Sequence, residues 1–138
     1  MVRVGKKLCI CFIFILMIMI SGCRPVKEAE LYGTYITKYP FGGTEKLVLY
    51  SNGEYSQEVN VVVGNNSKTI TNKGRWKYNL ATRHLTLDKA LVVDNGFGKL
   101  KEDYNIPFSG SVMQQVSRFS PWSPIKISTT CEGVFYKK

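Results

Sequence analysis

Few residues in this 138-residue sequence carry chemistry by their type and spacing. A nucleophilic triad needs a histidine beside a serine or cysteine. The one histidine, His84, follows Arg83 and opens the alternating stretch His84-Leu85-Thr86-Leu87, and the sequence has no Gly-x-Ser-x-Gly elbow. It reads as a strand residue with a structural or solvent-facing role. Calcium asks for clustered carboxylates at repeat spacing. Asp94-Asn95-Gly96 with Glu102 and Asp103 comes nearest, and turn chemistry accounts for it without a metal. Gly42-Gly43 and Gly96-Phe97-Gly98 lack the Gly-Lys-Ser/Thr ending of a phosphate loop and are read as turns. Paired carboxylates for glycoside hydrolysis are a spatial property that ten acidic residues do not single out. The expectation is a protein without catalytic residues or metal ligands, not an enzyme.

The remaining chemistry is in the thiols, and the elements around them give it meaning. Arg3, Lys6 and Lys7 precede an unbroken apolar run from Leu8 to Ile20. Its 13 residues fall short of the roughly 20 that span a bilayer as a helix. A basic start, a short apolar stretch and small residues at its end make a secretory signal peptide. The run ends in Ile20-Ser21-Gly22-Cys23, which resembles the lipobox of bacterial lipoproteins. The resemblance covers residues 1–23 and implies that the Cys23 thiol receives diacylglycerol through a thioether. It also implies cleavage after Gly22 and acylation of the new N-terminus. Small side chains at Ser21 and Gly22 suit a backbone entering a peptidase cleft, and only a thiol can form the thioether. Two or three acyl chains anchor durably where one is marginal. No cofactor is expected beyond this covalent diacylglycerol and N-acyl lipid.

Cleavage would remove Cys9 and Cys11, and lipid would consume Cys23, leaving Cys131 alone. The mature chain then has no internal disulfide and too few His and Cys for zinc. Cys131, near Val134 and Phe135, is either buried or paired with another molecule. Position 24 is Arg rather than the Asp that retains lipoproteins in an inner membrane. This favours an outer membrane facing the periplasm if there are two membranes, and a Gram-positive surface is equally compatible.

Composition agrees with one exported domain. The first 22 residues hold 16 apolar residues, three cations and no acid. Removing those three from 19 Lys+Arg, against 10 Asp+Glu, leaves a net charge of +6. Its cations are dispersed (Lys68, Lys73, Arg75, Lys77, Arg83, Lys99, Lys101), and export argues against nucleic acid. Attraction to anionic headgroups and a plainly solvated surface both account for the excess charge.

The boundaries expected are a signal peptide at 1–22, the lipidated cysteine and a charged tether at 23–30, and one β domain at 31–138. Leu47 and Leu49 alternate with Val48 and Tyr50 before the hairpin turn Ser51-Asn52-Gly53. Tyr55 to Val63 is rich in β-branched residues and turns at Gly64-Asn65-Asn66. Lys68–Asn72, Gly74–Tyr78, His84–Leu87, Leu91–Val93, Ile125–Ser128 and Gly133–Lys137 follow as strand candidates. Gly33-Thr34-Tyr35, Gly74-Arg75-Trp76 and Gly133-Val134-Phe135 repeat a glycine two residues before a ring. With the Leu-x-Leu strands, this pattern resembles the small lipocalin-like barrels of bacterial lipoproteins, over about residues 31–137. In true lipocalins the Gly-x-Trp lies in the first strand, where this chain has Tyr35.

The fold class expected is all-β, a small antiparallel barrel or sandwich. Tyr35, Leu47, Leu49, Trp76, Tyr78 and Leu85 are placed facing its interior, as core or as a ligand lining. Trp122, between Pro121 and Pro124, is expected either to plug one end of the barrel or to contact a partner protein. The function expected is a lipid-anchored envelope lipoprotein acting as a non-catalytic binding or interaction module. A lipocalin-like carrier of a small apolar ligand is the alternative. Its partners would be the membrane, through the lipid, and an envelope protein or that ligand.

Overall fold

A computed structural model describes residues 25–128 and 134–137. The lipobox residues Ile20, Ser21 and Gly22, the Cys23 thiol and Cys131 lie outside the described residues. A short helix, α1 (Glu28–Leu31), leads into eight strands. These are β1 (Gly33–Tyr39), β2 (Gly43–Leu49), β3 (Glu54–Val63), β4 (Asn66–Asn79), β5 (His84–Asp88), β6 (Ser111–Ser117), β7 (Lys126–Ser128) and β8 (Val134–Lys137). Each strand pairs antiparallel with the next, and β8 returns to β1 through Tyr35↔Lys137 and Ile36↔Tyr136. The all-β class is as expected, and the barrel alternative is the one adopted. Every strand thus has two neighbours, although β4 meets β5 only over Trp76–Asn79 and has β3 alone over Asn66–Arg75.

Alternation in sequence becomes alternation of burial, because successive side chains on a strand point to opposite faces. In β2, Glu45, Leu47 and Leu49 are buried while Thr44, Lys46 and Val48 are half-buried or exposed. Tyr35, Leu47, Leu49, Tyr55, Trp76, Leu85, Leu87, Val116, Ile127 and Phe135 join one apolar cluster. All three rings of the glycine-led repeat, Tyr35, Trp76 and Phe135, are buried in it.

The end of the barrel where the chain enters is closed by its own leading segment. Val26 and Leu31 are 3% and 0% exposed and belong to the cluster. The Tyr35 hydroxyl donates to the Leu31 carbonyl at 2.8 Å and the Tyr78 hydroxyl to the Val26 carbonyl at 2.8 Å. Part of the segment read as a tether is therefore packed. Trp122, expected as a plug in one reading, is instead 84% exposed. Val26 and Leu31 already fill that end of the barrel.

Three strand expectations change. Lys68–Asn72 and Gly74–Tyr78 are one strand, β4. Gly74 does not interrupt it because Tyr55 sits opposite and fills the vacant position. A Cβ at Gly74 would lie 2.5 Å from the Asp88 carbonyl oxygen and 2.6 Å from the Tyr55 ring. Leu91–Val93 is not a strand, and its neighbourhood forms only the isolated bridges Leu91↔Pro107 and Asp94↔Leu100. Finally, β6 was not anticipated. Its inward positions read Val112, Gln114 and Val116, and the central glutamine erases the apolar alternation that marks a strand.

Candidate functional site

The six residues expected to face the interior do so. Tyr35, Leu47, Leu49, Trp76 and Leu85 are buried, and Tyr78 packs against them half-buried. They belong to one cluster, where Trp76 also meets Tyr32 edge-on at 5.9 Å and its indole N–H donates to the Tyr50 carbonyl at 3.0 Å. This half of the barrel is a packed apolar core.

Toward the far end the interior turns polar. Thr37, Glu45 and Gln57 are all at most 4% exposed there, and Gln114, level with Leu85 between Val112 and Val116 in the apolar half, is 5% exposed. Each occupies the inward register of its strand, sharing parity with Tyr35, with Leu47, with Tyr55 and with Val116. Sequence reasoning passed over all four. The signal was parity: a polar residue two positions from an inward apolar one faces the same way.

Glu45 is the centre of this layer. The Tyr39 hydroxyl donates to Glu45 Oε2, and the Gln57 amide donates to Oε1 at 2.5 Å. Both bonds favour the carboxylate, yet loss of water outweighs them and pushes the Glu45 carboxyl up to about 7. Burial, with the neighbouring Glu45 and Asp94 charges, also raises the Tyr39 hydroxyl far above its ordinary range. Gln114 differs from the others: its Oε1 is buried without a hydrogen-bond partner.

The same Gln57 holds the cover of the far end. The long connection 89–110 between β5 and β6 folds across the barrel mouth. Its Leu91 N–H donates to Gln57 Oε1 at 2.8 Å, and Gln57 Nε2 donates to the Leu91 carbonyl at 2.9 Å. One side-chain amide thus mimics a strand partner. Asn72 adds a bond from Nδ2 to the Lys89 carbonyl at 2.8 Å, and Tyr55 one from its hydroxyl to the Asp88 carbonyl at 2.7 Å.

Leu91 and Val93 then pack on Val59 and Val61 in a second apolar cluster, joined by Tyr39, Phe41, Ile70, Leu100 and Tyr104. Asp94 Oδ1 accepts from the Gly96 and Gly98 amides at 2.6 and 3.3 Å, so the carboxylate expected to serve a turn does serve one. Lys68 sits 5.8 Å from the Tyr104 ring centre, tying the connection to the β3–β4 hairpin.

Outward, the connection is apolar. Phe97, Ile106 and Phe108 are 84%, 61% and 48% exposed. A separate open groove of about 670 Å³ lies near the β2–β3 turn, between Tyr50, Asn52, Glu54, Lys73 and Arg75. Its carboxylate is engaged by Asn52 Nδ2 at 2.9 Å and offers no convergent chemistry. His84 begins β5, half-buried. Among the described residues no three His, Cys, Asp or Glu side chains come together to hold a metal ion, and no helix is long and apolar enough to cross a membrane.

Compared with known proteins, the chain matches no family model, no curated protein and no solved structure.

Proposed function

We propose that this protein is a lipoprotein of the bacterial cell envelope, anchored by lipid on Cys23, whose barrel is a rigid stand for a non-catalytic binding surface. The surface is the connection 89–110. The observation that carries this reading is the contrast between its two faces: one is bonded to Gln57 and buried on Val59 and Val61, and the other displays Phe97, Ile106 and Phe108 to solvent. Connections of this length are uncommon in compact domains unless they have a function. Exposed apolar groups on a fixed backbone suit a protein contact, since little ordering entropy remains to be lost on binding.

The chain enters at the opposite end of the barrel, so an anchor at Cys23 would turn the connection away from the membrane. A photo-crosslinking residue in place of Phe97, in living cells, should capture a defined envelope protein, and Ile106→Asp should abolish the adduct. The same residue in place of exposed Lys46, on the barrel wall, should give none. Equal labelling from both positions would sink the reading.

One observation favours a second reading, a carrier of a small ligand. The buried Gln114 Oε1 lacks a donor, and a ligand N–H or O–H inside the barrel would supply it. A mass adduct that survives native spraying and leaves on denaturation would favour this carrier.

A further inference from the structure

Alternation of antiparallel strands sorts every connection to one end of the barrel or the other. At the end where the chain enters lie α1, the β4–β5 turn at 80–83 and the β6–β7 loop at 118–125. Three contacts lock them together. Arg118 Nη1 pairs with Glu30 Oε1 of α1 at 3.0 Å, Tyr78 holds Val26, and Ile125 is buried in the core beside Val26 and Leu31. The tip of the β6–β7 loop projects from this base. Phe119 and Trp122 are 88% and 84% exposed, matched among the described residues only by Phe97 at the other end. Leu80, on the neighbouring turn, is 51% exposed, and Lys27 and Arg83 are exposed at the same end.

The loop is built to hold its rings outward. Pro121 and Pro124 fix the backbone on either side of Trp122. The Ser123 N–H donates to the Ser120 carbonyl at 3.1 Å, and the two serine hydroxyls lie 2.6 Å apart. With the backbone so held, the Trp122 ring stands away from the barrel. What covers the rings is indicated by the chain itself. The 24 residues before Pro25 join the barrel at this end, and they contain the apolar run Leu8–Ile20 and Cys23.

We propose that this end rests on a lipid bilayer, with Phe119 and Trp122 seated at the boundary of headgroups and acyl chains as a non-covalent foot beside the Cys23 anchor. The inference rests on the lipoprotein reading for its geometry, and it adds a second membrane contact in the folded domain. Amphipathic rings favour that boundary, where the indole N–H stays hydrated while the ring leaves water. Two contacts fix an orientation where a flexible lipid tether alone does not.

The test uses the full chain, purified from bacterial membranes and reconstituted in vesicles of phosphatidylethanolamine and phosphatidylglycerol whose acyl chains are brominated near the glycerol. Trp122 emission should be largely lost to these bromines, and less so when bromine is placed near the bilayer midplane. Trp122→Phe, which leaves only the buried Trp76, should remove that quenching. Restoring a reporter with Phe119→Trp in the same background should bring it back. Emission indifferent to the bromines both in the parent and in the Phe119→Trp variant overturns the foot and leaves the rings to a protein partner. The intact mass of the same sample decides the anchor separately. An acylated chain with unquenched Trp122 defeats only the foot, whereas an unacylated chain with quenched Trp122 supports the foot and defeats the anchor.

Discussion

Glu45 shows how a single buried carboxyl sets the pH response of the barrel. Two donors stabilise its charge, but complete burial costs more than they return, so its folded value of about 7 lies above the ordinary 4.5. Between these values the folded chain binds the proton and the unfolded chain does not. Stability is therefore highest in mild acid and falls as pH rises from about 4.5 through 7, by a total on the order of 3 kcal/mol. Glu45→Gln keeps the shape and removes the proton, so its unfolding free energy should be nearly flat over that window and exceed that of the parent above pH 7. Denaturant titrations at a series of pH values read this directly, and a parallel profile in the two proteins would contradict it. The residue was within reach of the sequence: Glu45 shares parity with Leu47 and Leu49. The local pattern of Leu47 and Leu49 thus extends to Glu45, whose charge hides the register that makes it an interior residue.

At the scale of elements, the connection 89–110 depends on contacts it does not itself contain. It has few regular hydrogen bonds, such as Lys101 N–H to the Val93 carbonyl at 2.8 Å and Phe108 N–H to the Ala90 carbonyl at 2.9 Å. Its attachment to the barrel runs through Gln57. Gln57→Leu would strand the Leu91 N–H and carbonyl in a buried position, at about 1–3 kcal/mol for each group left without a partner. Hydrogen exchange at the Leu91 and Val93 amides should then quicken far more than at β2 or β3 amides, because the cover opens while the barrel stands. Unchanged protection at Leu91 would show that the apolar cluster alone holds the cover.

Alternating strands such as β2, β3 and β5, and the turn at Ser51-Asn52-Gly53, could be read from local pattern. Their apolar residues fall every second position, and Gly53 has the positive φ of 81° that the turn requires. The course of the connection could not, because its few bridges are isolated, and β6 could not, because Gln114 at an inward position imitates an exposed strand or a loop. Only the tertiary partner, Leu91 for Gln57, reveals why such a residue is inside.

The whole molecule has two unlike ends. One receives the chain, is sealed by Val26 and Leu31, and carries exposed Phe119 and Trp122. The other is sealed by the connection 89–110 and carries Phe97, Ile106 and Phe108. The closed barrel between them brings the first and last strands together. The barrel class was legible from short alternating strands separated by turns, whereas the polarity of its ends was not. That polarity depends on the strand count, and the pattern split β4 in two, which alone sends later connections to the wrong end; Leu91–Val93 stood in for the missing β6.

The proposed lipid anchor on Cys23 would give this polarity its meaning, and the most direct measurement is the intact mass of the full chain extracted from bacterial membranes. The account predicts a chain beginning at Cys23 and carrying diacylglycerol with or without a further acyl group, while Cys23→Ala accumulates at the mass of the uncleaved, unacylated precursor. A wild-type chain that retains residues 1–22 without lipid, or a Cys23→Ala chain still cleaved after Gly22 and acylated, would contradict it.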